Sequence, residues 1–401
     1  MTFAKRLNLD VAKLERGEII KTSISISSPQ DFKTLFGPSL NYDQLQSVLK
    51  AVELTDNDPI ASYQAGLKHF TAYTTGAVGF LDPGIGKEFF EKRFPMQVNV
   101  TLGTTITVSQ DVVVPPGSPP EFVSCDNLIF DGGSYVLQGT SFTMWVTNQL
   151  AIKSQGSRPY NIGILGVDGA PGYAGAPGGS QAQAPNGSNA GTPSPGVCTG
   201  AGSGGNGTAG STGYDGVHGG DGQTGLPSIM ANINIASFAS NQPPLVIFGQ
   251  SGQGGPGGDG GAGGTGQQGG NGGNGCSSGC EGTDGGNGAN GGDGGKGGDG
   301  GNGGSAVNGG PLLVNLNANQ QGPSFFQYVS ATAKPGPGGN FGNGGAGGAG
   351  GSAGSGGHGS RDGTNGNTGA PGSNGAQGSA GPSYGAAPTL TPGTYTPPSS
   401  N

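Results

Sequence analysis

The residues that most often carry catalysis are few and widely separated in this sequence. Its three histidines are His69, His218 and His358, and two of them lie in or beside glycine-rich repeats. No nucleophile, general base and orienting group can be assigned from them. His69 stands beside Phe70 and is interpreted as a packing or surface histidine. The sequence therefore predicts a protein that is not an enzyme and that has no cofactor.

The four cysteines do not form a recognisable metal or disulfide framework. Cys125, Cys198, Cys276 and Cys280 are too few to staple a chain of this size, and their spacing differs from the CxxC pairs of a zinc site. A local disulfide between Cys276 and Cys280 and free thiols are the two interpretations, and no metal site is predicted. The cysteines therefore do not indicate whether the protein resides in an oxidising or a reducing compartment.

Two glycine-rich strings begin like ligand-binding motifs and then depart from them. GGPGGD at 254–259 matches the start of a calcium-binding nonapeptide, but Gly261 occupies the aliphatic position and no nine-residue period follows. GGDGGKGG is not a phosphate loop, because Gly297 follows Lys296 and Asn290 stands where the first glycine belongs. Neither calcium nor nucleotide binding is predicted.

Glycine and proline dominate the composition, with 92 and 29 of the 401 residues. Hydrophobic residues make up 31% and charged residues 10%, both well below the averages of soluble domains. These values exclude an ordinary globular enzyme with one large apolar core. The net charge of −8 argues against nucleic acid, whose phosphates are bound by cations.

The N-terminus is charged throughout, and no run of about 18 apolar residues occurs. We therefore expect neither a signal peptide nor a membrane span. The expected protein is synthesised in the cytoplasm and reaches an extracellular assembly or a virion as its final location.

The first 162 residues predict two small domains. Residues 1–95 are expected to form a mainly helical attachment or assembly domain, with helices over 40–54 and 58–81 and a further turn or two near 85–94. From residue 96 to 162 the apolar period changes to two and short runs end at glycine or proline. This pattern predicts a β-strand domain, either a small sandwich or a few coils of a β-solenoid.

After residue 162, glycine falls into strict three-residue phase. The six blocks are 163–178, 204–225, 254–275, 282–303, 336–357 and 363–381. Strand-like segments at 229–249 and 311–334 separate pairs of blocks, and Gly225, Gly303 and Gly381 end the pairs at intervals of 78. The sequence therefore predicts three hairpin repeats.

A three-residue period is that of an extended left-handed helix without internal hydrogen bonds. Glycine lets such rods approach until the N–H of one meets the C=O of the next, which predicts a bundle of about six polyglycine-II helices over 163–381. Block four is expected to have neighbours on two sides, and block six, with one glycine per triplet, is expected to be an edge rod. The expected packing glycines in blocks three and four are Gly254, Gly257, Gly260, Gly285, Gly288, Gly291, Gly294 and Gly297.

Collagen and disorder are the competing interpretations of these blocks. Blocks three and four contain one proline, Pro256, whereas a collagen triple helix is rich in proline. A flexible or disordered tract does not require unbroken phase, nor strand segments that return at regular intervals. The packed bundle is therefore favoured.

Long Gly-x-x blocks joined by short loops resemble the polyglycine-helix sandwich of receptor-binding adhesins on T-even-type phage tail fibres. They are less closely similar to the springtail antifreeze bundles and to Gly-rich repeats of mycobacterial surface proteins. The resemblance covers residues 163–381, and neither the interleaved strands nor residues 1–95 have a counterpart in it. It implies that loops at the rod tips bind a receptor. The matching loops are 179–203, 276–281 and 358–362, and the candidate binding residues are His358, Arg361 and Asp362.

The sequence favours a non-enzymatic structural subunit of a surface, filamentous or virion assembly, which forms a homo-oligomer or polymer. A receptor-binding adhesin is the first alternative and an ice-binding protein is the second. The tip at 276–281 is short and lacks aromatic or Arg anchors, which favours structure over binding. The Pro-rich tail, 382–401, is expected to dock along a neighbouring copy through Tyr384, Leu390 and Tyr395.

Overall fold

The computed structural model describes residues 2–38, 40, 42–52, 63–79, 93–192 and 197–398. It is a mixed α/β structure with two sheets and few helices. The helices are α1 (Thr2–Arg6), α2 (Val11–Glu15), α3 (Pro29–Phe36), α4 (Tyr42–Val52) and α5 (Tyr63–Thr74), and a single 3₁₀ turn spans Ala318–Gln320.

Local sequence signals explain where these helices begin. The Ser28 side chain accepts a hydrogen bond from the N–H of Asp31 at the start of α3, and Asp10 caps α2 in the same way through Ala12. Helix α4 confirms the helix predicted over 40–54. Helix α5 lies inside the predicted 58–81, whereas the expected start at Asp58 and most of 85–94 fall outside the described residues.

The strands belong to two sheets. They are β1 (Ile20–Ile26), β2 (Met96–Val108), β3 (Val112–Val114), β4 (Glu121–Asp131), β5 (Tyr135–Gln138), β6 (Phe142–Ser154), β7 (Ile162–Leu165), β8 (Ala231–Ile235), β9 (Leu245–Gln250), β10 (Pro311–Leu316), β11 (Phe326–Ala331) and β12 (Thr389–Thr394). The seven-stranded sheet A has the order β1-β2-β4-β6-β8-β10-β12, and the five-stranded sheet B has the order β11-β9-β7-β5-β3.

From β2 onwards the chain visits the two sheets alternately, and neighbouring strands within each sheet are parallel. Each coil therefore adds one strand to each sheet, as in the solenoid that was one of the two predicted arrangements. The run 127–137 is divided between β4 and β5, because Gly132 takes a positive φ of 91° at the corner.

The interior between the sheets is apolar. Its fully buried side chains include Leu128, Phe130, Met144, Ile233 and Leu312. These alternate along each strand with residues on the opposite face, which gives the period of two seen in the sequence.

Residues 1–95 are not a separate helical domain. Strand β1 pairs antiparallel with β2, from Ile20 opposite Leu102 to Ile26 opposite Met96, and so extends sheet A. The helices cover the outer face of the same sheet, where Phe3, Phe32 and other aromatic side chains share one core with Val98, Val100 and Phe122. The expected boundary at residue 95 therefore crosses a continuous sheet and a continuous core.

Six extended glycine-rich segments continue from the strands. We name them G1 (166–190), G2 (204–225), G3 (254–275), G4 (282–303), G5 (336–357) and G6 (363–381). G1, G3 and G5 follow β7, β9 and β11 of sheet B, whereas G2, G4 and G6 precede β8, β10 and β12 of sheet A. The chain thus leaves one sheet, reaches a tip and returns to the other.

Main-chain hydrogen bonds join these segments at every third residue. Gly169, Gly172 and Gly175 of G1 donate to the carbonyls of Gln253, Pro256 and Asp259 at or just before G3. This parallel pattern links G1 to G3 to G5 and G2 to G4 to G6, while antiparallel bonds link consecutive segments. The result is two layers of three segments.

The position of each segment follows from its partners. G4 bonds to G2, G3, G5 and G6, which is more neighbours than the two sides predicted from its composition. G6 bonds only to G4 and G5 among the described segments, as predicted for an edge. Most triplets of G4 contain two glycines, whereas those of G6 contain one.

Candidate functional site

The three hairpin tips lie together at the end of the segments. Thr199 in the first tip donates from its hydroxyl to the Glu281 carboxylate in the second at 2.7 Å. The main-chain N–H of His358 in the third tip donates to the Ser277 hydroxyl at 3.3 Å. We call residues 197–202, 276–284 and 356–362 the tip cluster. Positions 193–196 of the first tip lie outside the described residues.

A disulfide between Cys198 and Cys276 joins the first two tips, with a Cα–Cα distance of 5.8 Å. The expected local bridge between Cys276 and Cys280 is therefore wrong. Both bonded cysteines are buried, whereas Cys280 is a free thiol in the exposed turn of the second tip. The partner of Cys276 is distant in sequence because the antiparallel return of each hairpin brings successive tips side by side.

The three candidate binding residues occupy the third tip in different ways. Asp362 accepts a hydrogen bond from the N–H of Gly356 at 2.7 Å, so its carboxylate closes the turn. The Arg361 N–H donates to Asp284 at 2.8 Å. All three residues are exposed, and Gly359, which follows the histidine, takes a positive φ of 74°. The structure thus brings them into one turn beside the second tip.

The in-phase glycines are sterically required. A Cβ atom at any of the eight predicted packing glycines would lie closer than 3.0 Å to main-chain atoms of a neighbouring segment. Main-chain atoms cannot move aside as a flexible side chain can. Those eight positions are Gly254, Gly257, Gly260, Gly285, Gly288, Gly291, Gly294 and Gly297.

Asn and Asp side chains on the outer faces of the layers satisfy main-chain donors, and this role was missed in the sequence. Asn206 of G2 accepts from the N–H of Asn287 in G4 at 2.8 Å, and Asn287 accepts in turn from Thr364 in G6 at 2.8 Å. Asp293 and Asp299 of G4 accept from G6 in the same way. The signal was available, because aligning the blocks puts these residues in the same column of the repeat.

The pKa values of one aspartate and one cysteine are shifted in opposite directions, the first by hydrogen bonding and a nearby cation and the second by burial. The N–H of Ala376 and the ammonium group of Lys296 lower the pKa of the Asp299 carboxyl, since both favour its charged form. Burial between the sheets raises the pKa of the Cys125 thiol to about 12. Cys125 is therefore neutral at physiological pH and unreactive.

Side chains in and just before G6 satisfy main-chain donors of G5. Asn374, Asn365 and Asp362 accept hydrogen bonds from the N–H groups of three residues in G5, at 3.0, 2.8 and 2.7 Å. Pro371 has no N–H to present. These bonds strengthen the pairing of the edge segment G6 with G5.

The tail docks on its own chain rather than along a neighbour. Residues 389–394 form β12, which pairs in parallel with β10. Leu390 packs against the core between the sheets, and the Tyr395 ring lies 6.2 Å from the Trp145 ring. Tyr384 stays 68% exposed. The expected docking role of Leu390 and Tyr395 is therefore fulfilled within the molecule.

Comparison with protein-family models, with curated proteins and with solved structures found no match. Across the ranges that the structure describes, no helix is long and apolar enough to cross a membrane. Within the same ranges, no three His, Cys, Asp or Glu side chains form a group that could hold a metal ion.

Proposed function

We propose that this protein is a non-enzymatic structural protein whose glycine-rich segments are polyglycine-II helices forming a rigid projection. The observation that carries the proposal is the hydrogen bonding of six segments at every third residue, in direct continuation of both sheets. A block of 22 residues in this conformation would be roughly 70 Å long. The sheets and helices act as the base, and the projection holds the tips at a distance from it.

Rigidity follows from how the segments are held. Each interior segment has bonded neighbours in its own layer and in the facing layer, so bending one segment disturbs several others. The contacts are main chain to main chain, so few side chains lose rotamer freedom on folding, whereas each glycine main chain loses more conformational freedom than that of any other residue. The Cys198–Cys276 disulfide fastens the far end.

The proposed setting is an extracellular surface or a virion, where a projection of this kind is useful. The sequence feature that suggested docking on a neighbouring copy is engaged within the chain, since residues 389–394 of the tail form β12. We therefore place attachment to a larger assembly at the base.

A receptor-binding adhesin is the second candidate, and the tip cluster favours it. Three loops far apart in sequence are held in one place by a disulfide and by several hydrogen bonds between the tips, which is more order than a simple turn requires. The resemblance of the glycine blocks to phage tail-fibre adhesins adds to this candidate.

Small-angle scattering of the full chain tests the projection. The proposal expects a maximum dimension that exceeds that of a compact particle by tens of ångströms and stays unchanged in about 1 M urea, where a flexible glycine-rich chain would already swell. A scattering profile typical of a flexible chain would contradict it.

Tip variants test the adhesin candidate on the same protein. Arg361→Ala should abolish binding of labelled protein to intact host cells, whereas Arg158→Ala, which removes a charge at the base, should not. Loss of binding in both variants, or in neither, would contradict a receptor site at the tips.

A further inference from the structure

The lateral edge formed by G1 and G2 carries two tyrosines that neither the scaffold nor the tips require. Tyr173 of G1 is 71% exposed and Tyr214 of G2 is 61% exposed, with Val217 between them at 50%. We call this edge the G1/G2 seam.

Each tyrosine ring lies across the seam on a glycine of the other segment. A Cβ at Gly220 would be 2.5 Å from the Cδ1 atom of Tyr173, and a Cβ at Gly179 would be 3.6 Å from the Cδ2 atom of Tyr214. Both rings therefore rest against the neighbouring segment while most of their surface faces solvent. Gly179 and Gly220 are also out of phase with the triplets of their blocks. Glycine at position 220 leaves room for the Tyr173 ring, whereas a Cβ at position 179 would only make an ordinary van der Waals contact with the Tyr214 ring.

The two rings are spaced along the seam by the hydrogen-bond register. Gly220 donates to Tyr173 and Val217 donates to Ala176, so Tyr214 lies six residues further along than Tyr173. At about 3.1 Å per residue this separation is roughly 19 Å. A single small ligand cannot contact both rings, whereas an elongated one can.

The seam offers hydrogen-bond acceptors beside the rings. In G3 the carbonyls equivalent to those of Pro171, Ala174 and Pro177 accept bonds from G1. In G1 these three carbonyls accept none from the described residues, and all three residues are exposed. A ligand that suits this seam therefore brings donors in a row.

The charges of G1 and G2 restrict the class of ligand further. Residues 163–225 contain no Lys or Arg, while Asp168, Asp215 and Asp221 in the same segments are acidic and accept hydrogen bonds from N–H groups of neighbouring segments. An anionic polymer would be repelled. We propose that the G1/G2 seam binds a neutral linear polysaccharide, whose sugar rings stack on Tyr173 and Tyr214 and whose hydroxyl groups donate to the free carbonyls.

Stacking suits this chemistry because a tyrosine ring has an apolar face and a polar tip. The proposal concerns a surface away from the tip cluster, so it does not depend on the adhesin candidate.

Native gel electrophoresis of the full chain in gels containing hydroxyethyl cellulose or dextran tests the proposal. We expect at least one polymer to retard the protein, and the double variant Tyr173→Ala/Tyr214→Ala to bind it at least tenfold more weakly, a change of about 1.4 kcal/mol. Tyr384→Ala is the matched control, because that ring is equally exposed outside the seam, and it should bind as the wild type does. No retardation by either polymer, or equal retardation of the wild type and the double variant, would overturn the proposal.

Gly220→Ala provides a second variant that removes no aromatic group. The alanine Cβ displaces the Tyr173 ring, so we expect the variant to bind the polysaccharide more weakly although both tyrosines are still present. Light scattering of the wild type and the double variant completes the test. Self-association that is lost in the double variant would overturn the proposal in favour of an interface between copies.

Discussion

The steric requirement for glycine can be tested at Gly294 in the middle of G4. A Cβ there would lie closer than 3.0 Å to main-chain atoms of Gly345 and Gly372, so Gly294→Ala forces G4 away from G5 and G6. Three hydrogen bonds lie at this point: from Gly294 to Ala370, from Gly345 to Gly295 and from Gly372 to Gly345, at 2.8, 2.9 and 2.8 Å. Each contributes about 1 kcal/mol net.

The expected loss is therefore about 3 kcal/mol, reduced by about 0.4–1 kcal/mol because alanine restricts the unfolded chain more than glycine does. For a cooperative unit of 150–250 residues each kcal/mol corresponds to roughly 2–4 °C. The net loss of about 2–2.6 kcal/mol should therefore lower the melting temperature of Gly294→Ala by about 4–10 °C. Asp293→Ala, one residue earlier, removes one exposed hydrogen bond to the N–H of Ala370, and should cost less than about 4 °C.

Thermal melts followed by far-UV circular dichroism, under non-reducing conditions, measure both variants. The comparison also requires that the wild type melts cooperatively, since a disordered chain changes gradually with temperature. Equal melting temperatures for Gly294→Ala and Asp293→Ala would refute close packing at this glycine.

Three further outcomes are expected. Thiol titration of the unfolded, non-reduced chain should find two thiols, and four thiols before reduction would contradict the bridge. Reduction or Cys198→Ser should lower the free energy of unfolding by up to about 4 kcal/mol, because the bridge closes a loop of 78 residues. Because its folded pKa is lowered, Asp299 contributes stability that is present above its unfolded pKa and lost as the pH falls through the folded one. Asp299→Asn keeps the acceptor and should therefore lose less stability than the wild type on acidification, and equal acid sensitivity would argue against this role. Deleting residues 389–398 should lower the melting temperature without changing a monomeric mass in light scattering, whereas a larger mass for the intact chain alone would restore the tail as an intermolecular contact.

Local sequence patterns predicted the helices and strands whose formation is determined by residues close together in the sequence. The period of two from residue 96 led to the strands, and the helical spacing over 40–54 led to α4. Strand β1 was missed although Ile20, Ile24 and Ile26 alternate with polar residues, because the surrounding segment reads as helical. Its pairing with β2 is a long-range contact that no local pattern reports.

The tip cluster could be predicted in outline but not in its bonding. The repeat interval of 78 is also the separation between Cys198 and Cys276, so the two cysteines occupy equivalent positions in successive repeats. The sequence contained this signal, yet the proximity of Cys280 to Cys276 suggested a local bridge. The β12 strand was hidden for a different reason, since Pro392 and Gly393 are unusual in strands, and Pro392 is tolerated here because β12 lies at a sheet edge.

The base and the glycine-rich segments use the same stacking plan with different physical chemistry. In the base, each coil adds a strand to both sheets and buries side chains such as Ile233 and Leu312 between them. In the segments the facing layers approach until main chain meets main chain, and no side chain fits between them. Loss of apolar volume should therefore damage the base, and gain of a single carbon should damage the segments. The ring of Tyr173 obeys the second rule, because it is accommodated where the other segment has Gly220.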